Sequence, residues 1–212
     1  MLDISKIYTS TKCGDFKVIS YNSASSVEVE FFNTGYVCIS KSVNIRRGQV
    51  NDKLNPSVFG VGFIGIGNSK PSIDGVHTKE YKAWSNMISR CYSPNTQEIN
   101  PTYKGCSVCN EWLDFQIFAK WFGDNYIYGY QLDKDIKIKG NKVYSPSTCK
   151  FVSPKDNIIQ AHARRYVFIS PEGLTVEVYN LTEFCKNKKL THKIMSMVHS
   201  GKSREHKGWT KA

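Results

Sequence analysis

Two short helical patterns near the carboxyl end constrain the fold of this chain more than any other feature. Asn180-Leu-Thr-Glu183 has the form of a capping box that opens the first helix. Thr191 is the expected cap of the second helix, and Gly201 fits its end. Residues 161–212 hold ten Lys or Arg and four Asp or Glu, a net charge of +6 out of +11 for all 212 residues. A basic excess on a compact helix-turn-helix predicts a partner with a phosphate backbone.

The second helix is predicted to present a polar and basic face to solvent. Ile194, Met197 and Val198 are its expected inward residues. A short helix with polar and basic side chains outward fits the major groove of DNA. Lys and Arg near its ends would hold phosphates, and Lys193, Ser196 or His199 could reach base edges. The candidate DNA-binding residues are Thr191, His192, Lys193, Ser196, His199, Lys202, Arg204 and Lys207.

A β-hairpin is predicted directly before the helical pair, with its turn at Pro171-Glu-Gly173. Residues 167–210 resemble the intron-encoded nuclease repeat, a modular DNA-binding tail found on phage HNH and GIY-YIG homing endonucleases. The resemblance implies sequence-directed binding of double-stranded DNA through the second helix, and it does not identify a nuclease. It is carried by Ile169-Ser-Pro-Glu-Gly173, Leu181-Thr-Glu-Phe-Cys185, Leu190, Gly201-Lys202 and His206-Lys-Gly-Trp209.

Residues 1–69 are predicted to form a β-rich accessory module. Phe16–Tyr21 and Val27–Phe31 alternate with the period of a strand, and Asn33-Thr-Gly35 is a hairpin signal. Five glycines occur in the rest of the segment, and their spacing suggests a small, strongly curved sheet or barrel. The turn-rich residues 68–75 are the expected linker to the next region.

Two amphipathic helices are predicted in the middle of the chain, over residues 78–92 and 111–122. Each has an aromatic stripe at helical spacing. Because both stripes also contain aliphatic or small residues, we expect them to form a core and not a platform for stacked bases. The stripe residues are Tyr81, Trp84, Met87, Ile88 and Cys91, followed by Trp112, Phe115, Phe118, Ala119 and Phe122.

The segment 130–164 is predicted to form a strand, a loop, a second strand and a helix. Ser153-Pro154 predicts the cap and first position of that helix. We therefore expect an α+β protein of three parts: a β-barrel-like module at 1–69, a ββα module with flanking helices at 76–165, and a β-hairpin with a helix-turn-helix at 166–212.

The ββα segment resembles the centre of an HNH nuclease. The matching parts are Leu132-Asp-Lys-Asp135 in the first strand, Gly140-Asn-Lys142 in the loop, Thr148–Val152 in the second strand and Asn157 in the helix. The resemblance implies that Asp133 and Asn157 hold one Mg²⁺ or Mn²⁺ through oxygen atoms. The ion would neutralise charge on the scissile phosphate.

Lys134 stands where the family has its general-base histidine. A protonated lysine accepts no proton from water, and flanking carboxylates favour the charged form. If the strand is regular, Lys134 points away from Asp133 and Asp135. Three outcomes follow: Lys134 stabilises the scissile phosphate, His162 or His77 is the base, or the site is inactive.

The two aspartates of this strand also have an ordinary interpretation. Asp133 and Asp135 could lie on an exposed strand, solvated or paired with nearby lysines. The candidate partners are Lys137, Lys139 and Lys142.

Seven cysteines at scattered spacings argue against a disulfide framework. Cys106-Ser-Val-Cys109 alone has a metal-like spacing, and Cys149 or Cys91 could add to it, but no second CxxC completes four ligands. The sequence therefore favours reduced, buried thiols over a zinc site.

Three functions remain open from the sequence. The first is a phage-type homing endonuclease that cuts or nicks duplex DNA. The second is an inactive nuclease relative that acts as a DNA-binding regulator or as an inhibitor of a host system, and the third is an RNA- or ribosome-associated protein. No apolar run approaches 18 residues and no signal peptide is recognisable, so we expect no membrane partner and a location in the cytoplasm, that of a host cell if a phage encodes the chain.

Overall fold

A computed structural model describes residues 2–138, 140–161 and 164–212, with side chains omitted at 158–161. The protein is α+β, as the sequence predicted, with several antiparallel sheets. It divides into two compact units, residues 1–128 with 132–151 and residues 129–131 with 152–212. Three separate hydrophobic clusters lie within these units. The division into three domains at 1–69, 76–165 and 166–212 stays a prediction.

The N-terminal region is a four-stranded antiparallel sheet with the order β1-β2-β3-β4. The alternation of apolar and polar residues turns one face of β2 and β3 inward, and Ile45 of the short helix α1 packs against that face. Its elements are β1 (Ile7–Ser10), β2 (Gly14–Ser23), β3 (Ser26–Phe31), β4 (Val37–Ser40) and α1 (Ser42–Arg46).

The expected barrel is wrong, because this sheet is open, with β1 and β4 at its two edges. Two of the glycines that suggested barrel corners serve close packing instead. A Cβ atom on Gly65 would lie 2.0 Å from the Asp114 carboxylate, and one on Gly62 would lie 2.9 Å from the Trp84 ring. Both glycines therefore let an irregular segment approach the central helices.

The two predicted central helices are present and pack through their aromatic stripes. The first is α2 (Lys79–Tyr92), whose cap Thr78 accepts a hydrogen bond from the Tyr81 N–H. The second begins later than predicted, because Asp114 caps it and a 3₁₀ turn over Asn110–Leu113 precedes it. The buried residues of this core are Trp84, Met87, Ile88, Cys91, Cys106, Val108, Trp112, Phe115, Phe118, Ala119, Phe122, Tyr144, Cys149 and Phe151.

Small elements surround this helical pair. They are β5 (Ser72–Ile73), β6 (Val76–His77), α3 (Pro94–Ile99), a 3₁₀ turn (Pro101–Tyr103) and β7 (Ser107–Val108), and the second long helix is α4 (Phe115–Asn125). β5 and β6 form a two-stranded antiparallel ribbon directly before α2.

The segment predicted as ββα contains strand, loop, strand and helix in that order. β8 (Gln131–Asp133) pairs with β10 (Lys150–Val152), and α5 (Pro154–Ala161) follows. The loop contains a further short strand, β9 (Val143–Tyr144), which runs parallel to β7. Ser153 begins α5 as predicted, since its hydroxyl accepts from the Asp156 N–H and donates to the Asp156 carboxylate.

The C-terminal region is a β-sheet covered by two helices. The predicted hairpin is β11 (Tyr166–Ile169) with β12 (Thr175–Val178), and the predicted helices are α6 (Leu181–Asn187) and α7 (His192–His199). The sequence did not predict β13 (Glu205–His206) and β14 (Trp209–Lys211), which extend the sheet in the order β12-β11-β14-β13. The buried residues are Phe168, Val178, Leu181, Cys185, Met195, Val198 and Trp209.

Within the described residues, none of the helices combines the length and the apolar character that a bilayer crossing requires.

Candidate DNA interface and nuclease-like centre

The start of α6 and the end of α7 carry the predicted caps, whereas the Thr191 side chain makes no capping hydrogen bond at the start of α7. Asn180 Oδ1 accepts the Glu183 N–H at 3.1 Å, so Asn180 is confirmed as the cap of α6. The Glu183 carboxylate accepts from the side-chain amide of Asn180 at 3.0 Å. At the end of α7, Gly201 has a φ of 76°, and Lys202 N–H donates to Met197 C=O at 2.8 Å. These contacts form a Schellman motif, which turns the chain sharply after the helix.

The buried face of α7 differs from the prediction by one position. Met195 and Val198 are buried, whereas Met197 is 36 % exposed and Ile194 is half-buried. The predicted inward position of Met197 is therefore wrong. Because α7 is only eight residues long, its periodicity leaves the exact centre of the apolar stripe open.

Seven of the eight candidate DNA-binding residues are exposed. The side chains of Lys193, Lys202 and Arg204 form no hydrogen bond or ion pair with any other residue in the described part of the chain. Each of these cations therefore keeps all of its donors for an external acceptor. The other exposed candidates are Thr191, His192, Ser196 and Lys207.

His199 departs from the predicted outer face. Its ring packs edge-on against Tyr166, with centroids 4.8 Å apart, and lies 6.1 Å from Phe168. Its Nδ1 atom is buried and has no hydrogen-bond partner among the described residues. His199 is thus part of the contact between α7 and the sheet, and it is not presented to a groove.

Asp133 lies at the end of β8, where its carboxylate shapes the following turn. Its Oδ1 atom accepts the N–H groups of Asp135 and Ile136, both at 2.7 Å. An aspartate that accepts backbone donors two and three residues later ends a strand locally. The other oxygen, Oδ2, receives no hydrogen bond from any described residue.

Lys134 is buried, with 6 % of its surface exposed, and its ammonium is held inside the protein. Nζ donates to the Asp135 carboxylate at 2.7 Å and to the Asn141 carbonyl at 2.8 Å. Asn141 returns a bond from its amide to the Lys134 carbonyl at 3.0 Å. The expectation that Lys134 points away from Asp135 is wrong, because the strand ends at Asp133 and alternation ends with it.

Two further lysines of this loop are also bound internally. Lys137 donates to the Ser147 carbonyl at 3.0 Å, and Lys142 donates to the Thr102 carbonyl at 2.9 Å. The predicted partnership of Asp133 or Asp135 with these lysines is therefore not observed, and Lys139 lies outside the described residues.

Asn157 and the two candidate bases have different surroundings. The Asn157 amide donates to the Gln131 side chain at 2.7 Å, which leaves its own carbonyl oxygen without a bond in the described residues. His77 is exposed, with its ring 4.8 Å from that of Tyr81. His162 lies outside the described residues.

The donor chemistry of Asp133 and Asn157 suits a hard cation. Each has one oxygen atom free of hydrogen bonds to described residues, and Mg²⁺ commonly takes one or two protein oxygens while keeping several waters. Asp133 belongs to the first compact unit and Asn157 to the second.

The cysteines have the chemistry of buried thiols. Among the described residues, no three His, Cys, Asp or Glu side chains are grouped to share an ion, and this includes Cys106, Cys109 and Cys149. Burial raises the pKa of Cys91 to about 12 and that of Cys149 to about 11. Both thiols are therefore protonated at neutral pH.

Comparison with known proteins adds a partial likeness to a solved structure. No family model and no curated protein matches the chain. It is similar to a solved structure described as "DNA binding and cleavage by the HNH homing endonuclease I-HmuI", with 21 % sequence identity and a TM-score of 0.23. The likeness covers 45 % of this chain and 64 % of that one, so the chain spans less than two thirds of the protein that it matches. A likeness of this size assigns no activity to the chain.

Proposed function

We propose that this protein binds double-stranded DNA through α7 and the basic segment that follows it. The observation that carries the proposal is the set of exposed cations Lys193, Lys202 and Arg204, none of which has an acceptor within the described residues. An exposed ammonium or guanidinium without an internal partner is the group that replaces counterions on a phosphate backbone.

The geometry of α7 suits a groove. An α-helix with its side chains is about 10–12 Å across, close to the width of the major groove, so the eight residues of α7 can enter it. Met195 and Val198 hold one side of the helix in the core, so His192 and Ser196 share the opposite side at a spacing of one turn. Phosphate contacts from the three cations would fix the helix, and the imidazole and the hydroxyl would reach base edges.

A salt titration of duplex binding tests this proposal. We expect the affinity for a mixed-sequence duplex of about 30 base pairs, followed by fluorescence anisotropy, to fall steeply with salt. Changing Lys193, Lys202 and Arg204 together to Ala should reduce the slope of log K against log salt by about 2.7 and the affinity at 0.1 M salt by a few hundredfold.

The double variant Lys137→Ala/Lys142→Ala is the matched control. It also removes exposed positive charge, but both ammonium groups are bound to carbonyl oxygens in the native chain. Its salt slope should stay within about 0.5 of the wild type, since neither lysine is expected on a phosphate. If the triple variant keeps wild-type affinity, or a single-stranded RNA competes better than the duplex, the proposal is wrong.

The second candidate function is metal-dependent cleavage of the bound DNA, of the homing-endonuclease type. The specific observation in its favour is that Asp133 and Asn157 each keep an oxygen atom free of hydrogen bonds to described residues. By the resemblance to HNH nucleases, these residues would hold Mg²⁺ or Mn²⁺, which when bound would neutralise charge on the scissile phosphate. Lys134 would act only indirectly, by holding the loop after β8, because its ammonium is buried and already bound.

Plasmid nicking separates cleavage from binding. With Mg²⁺ or Mn²⁺ we expect wild-type protein to nick supercoiled DNA, and Asp133→Ala to lose that activity while it keeps its affinity for the duplex. Asp124→Ala removes an exposed carboxylate from α4 and serves as the control. Normal nicking by Asp133→Ala would remove this assignment, whereas tight binding without nicking by the wild type with any divalent ion would leave a DNA-binding regulator.

A further inference from the structure

The C-terminal hairpin of β13 and β14 binds the turn between α6 and α7 at two points. The Thr191 N–H donates to Nε2 of His206 at 3.1 Å. The Lys207 ammonium donates to the Lys189 carbonyl at 2.8 Å. Both bonds fall within the four residues that join the two helices, so the hairpin contacts the point where the direction of α7 is set.

The turn has internal bonds at the end of α6 and lacks a side-chain cap at the start of α7. The Leu190 N–H donates to the Cys185 carbonyl at 2.8 Å and the Lys189 N–H to the Lys186 carbonyl at 3.2 Å, a Schellman motif. Its left-handed residue is Lys189, with a φ of 53°, which is unfavourable for a residue with a Cβ atom. Thr191 occupies the cap position of α7, but its side chain makes no capping hydrogen bond. The bond to His206 therefore supports the turn where its own bonds end.

Lys207 is also held in an unfavourable backbone conformation. The pairing of His206 with Trp209 leaves Lys207 and Gly208 as a two-residue turn, with φ values of 50° and 79°. Such a type I′ turn favours Asn, Asp or Gly at its first position. A lysine at this position is explained by the contact that its ammonium makes with Lys189.

The hairpin is itself firmly placed on the module. Trp209 is buried and packs edge-on against Phe184 of α6, with ring centroids 5.1 Å apart. β14 pairs with β11, and a Cβ atom on Gly208 would lie 3.0 Å from Pro171 in the turn of the first hairpin. Contacts with the sheet and with α6 thus make the hairpin a rigid support for the turn.

We propose that residues 205–211 form a hairpin clamp that sets the orientation of α7 relative to α6, with His206 and Lys207 as its positioning residues. The clamp determines how well the protein discriminates between duplex sequences, so this inference rests on the proposed DNA binding. Lys207 then acts on the helix pair through Lys189 and makes no phosphate contact of its own.

The variant Lys207→Asn separates the clamp from the stability of its own turn. Asn is favoured in a left-handed turn before glycine, so the melting temperature of the module should stay equal or rise. We expect about tenfold weaker binding to a duplex selected from a random library with the wild type, the effect of one good base contact. Binding to unselected duplex and the salt slope should not change. The control Lys202→Ala should weaken both duplexes equally and lower the salt slope by about 0.9.

A pair of variants at His206 tests the other contact. His206→Ala removes the acceptor of the Thr191 N–H, whereas His206→Gln offers an amide oxygen in its place. We expect hydrogen exchange of the Thr191 amide to accelerate in the Ala variant and to return toward the wild-type rate in the Gln variant. Discrimination between the selected and unselected duplexes should follow the same order.

Three results would overturn the clamp. Lys207→Asn could weaken both duplexes alike and lower the salt slope by about 0.9, which would make Lys207 a phosphate contact. Discrimination could stay at the wild-type level in Lys207→Asn and His206→Ala. Exchange at Thr191 could be unaffected by His206→Ala. If the wild type binds no duplex, the proposed function fails, while the exchange measurement still decides whether the clamp exists.

Discussion

Three lysines of the central loop and two cations that follow α7 have the same charge and opposite surroundings. In the loop, the ammonium groups of Lys134, Lys137 and Lys142 each donate to oxygen atoms of the protein. After α7, the side chains of Lys202 and Arg204 donate to no described residue. A lysine bound to its own backbone stabilises a loop, whereas a cation with free donors is available to a polyanion. Net charge therefore identifies a binding surface only after the internal acceptors have been counted.

Destabilising one region at a time should have the largest effect on duplex binding. Phe168 is completely buried in the C-terminal core beside Phe184 and His199. Phe168→Ala leaves a cavity there and should lower the free energy of unfolding by about 3–5 kcal/mol. Duplex binding should be lost, because the cations lose the framework that presents them. Circular dichroism melting and anisotropy measure the two effects.

The matched change in the central core is Phe151→Ala. Phe151 is buried against Trp121, Phe122 and Tyr126, and its truncation should cost a similar free energy. Below its melting temperature, this variant should still bind duplex DNA. Equal loss of binding in both variants would show that the central region contributes to the interface.

A change of intermediate size compares two lysines directly. Lys134→Met removes the buried ammonium and leaves the Asn141 carbonyl without its donor, which should lower the free energy of unfolding by about 1–3 kcal/mol. Its affinity for duplex should not change. Lys193→Met should show the reverse, with stability within about 0.5 kcal/mol of the wild type and affinity several-fold weaker. Urea denaturation and anisotropy of the two variants would test this exchange of roles.

The smallest expected effect is a loss of stability in mild alkali. Burial raises the pKa of Cys91 to about 12 and of Cys149 to about 11, from the ordinary value of 9.0. A raised thiol pKa stabilises the folded state below pH 9, and that stabilisation is lost as the pH rises from 9 toward 11. Between pH 8 and pH 9, the free energy of unfolding should fall by about 0.4 kcal/mol per thiol.

Urea denaturation at the two pH values measures this loss, and the double variant Cys91→Ala/Cys149→Ala is its control. The variant should lose correspondingly less stability over the same interval. An identical loss in both proteins would show that other groups cause it.

The local elements could largely be predicted from the sequence, because their signals lie within a few residues. The stripe from Tyr81 to Cys91 predicted α2 almost to its ends, and Asn180 with Glu183 predicted the start of α6. The late start of α4 was missed, although Asp114 is a common cap residue, because the aromatic stripe continued across Trp112. The strands β13 and β14 were missed because Lys207-Gly208 is not a common turn pair.

The residues of the candidate centre could be predicted from the sequence, but their roles could not. Asp133 and Asn157 were singled out by a resemblance, whereas the bonds of Lys134 to Asp135 and Asn141 had no such signal. The alternation rule placed Lys134 on the wrong side because the Asp133 carboxylate ends the strand. An aspartate followed by two further polar residues was the one available hint of that turn.

The sequence by itself determined most of the helices, the hairpin of β11 and β12, the caps at Asn180 and Gly201, and the excess of positive charge at the carboxyl end. These features follow from the periodicity of side chains and from bonds between residues that are close in the sequence. Both can be recognised in the sequence alone. Only the tertiary structure decided which cations are free. The acceptor of Lys142 comes from Thr102, 40 residues earlier, and the acceptor of Lys207 comes from Lys189, 18 residues earlier. Whether an ammonium group finds such a carbonyl depends on how distant segments pack.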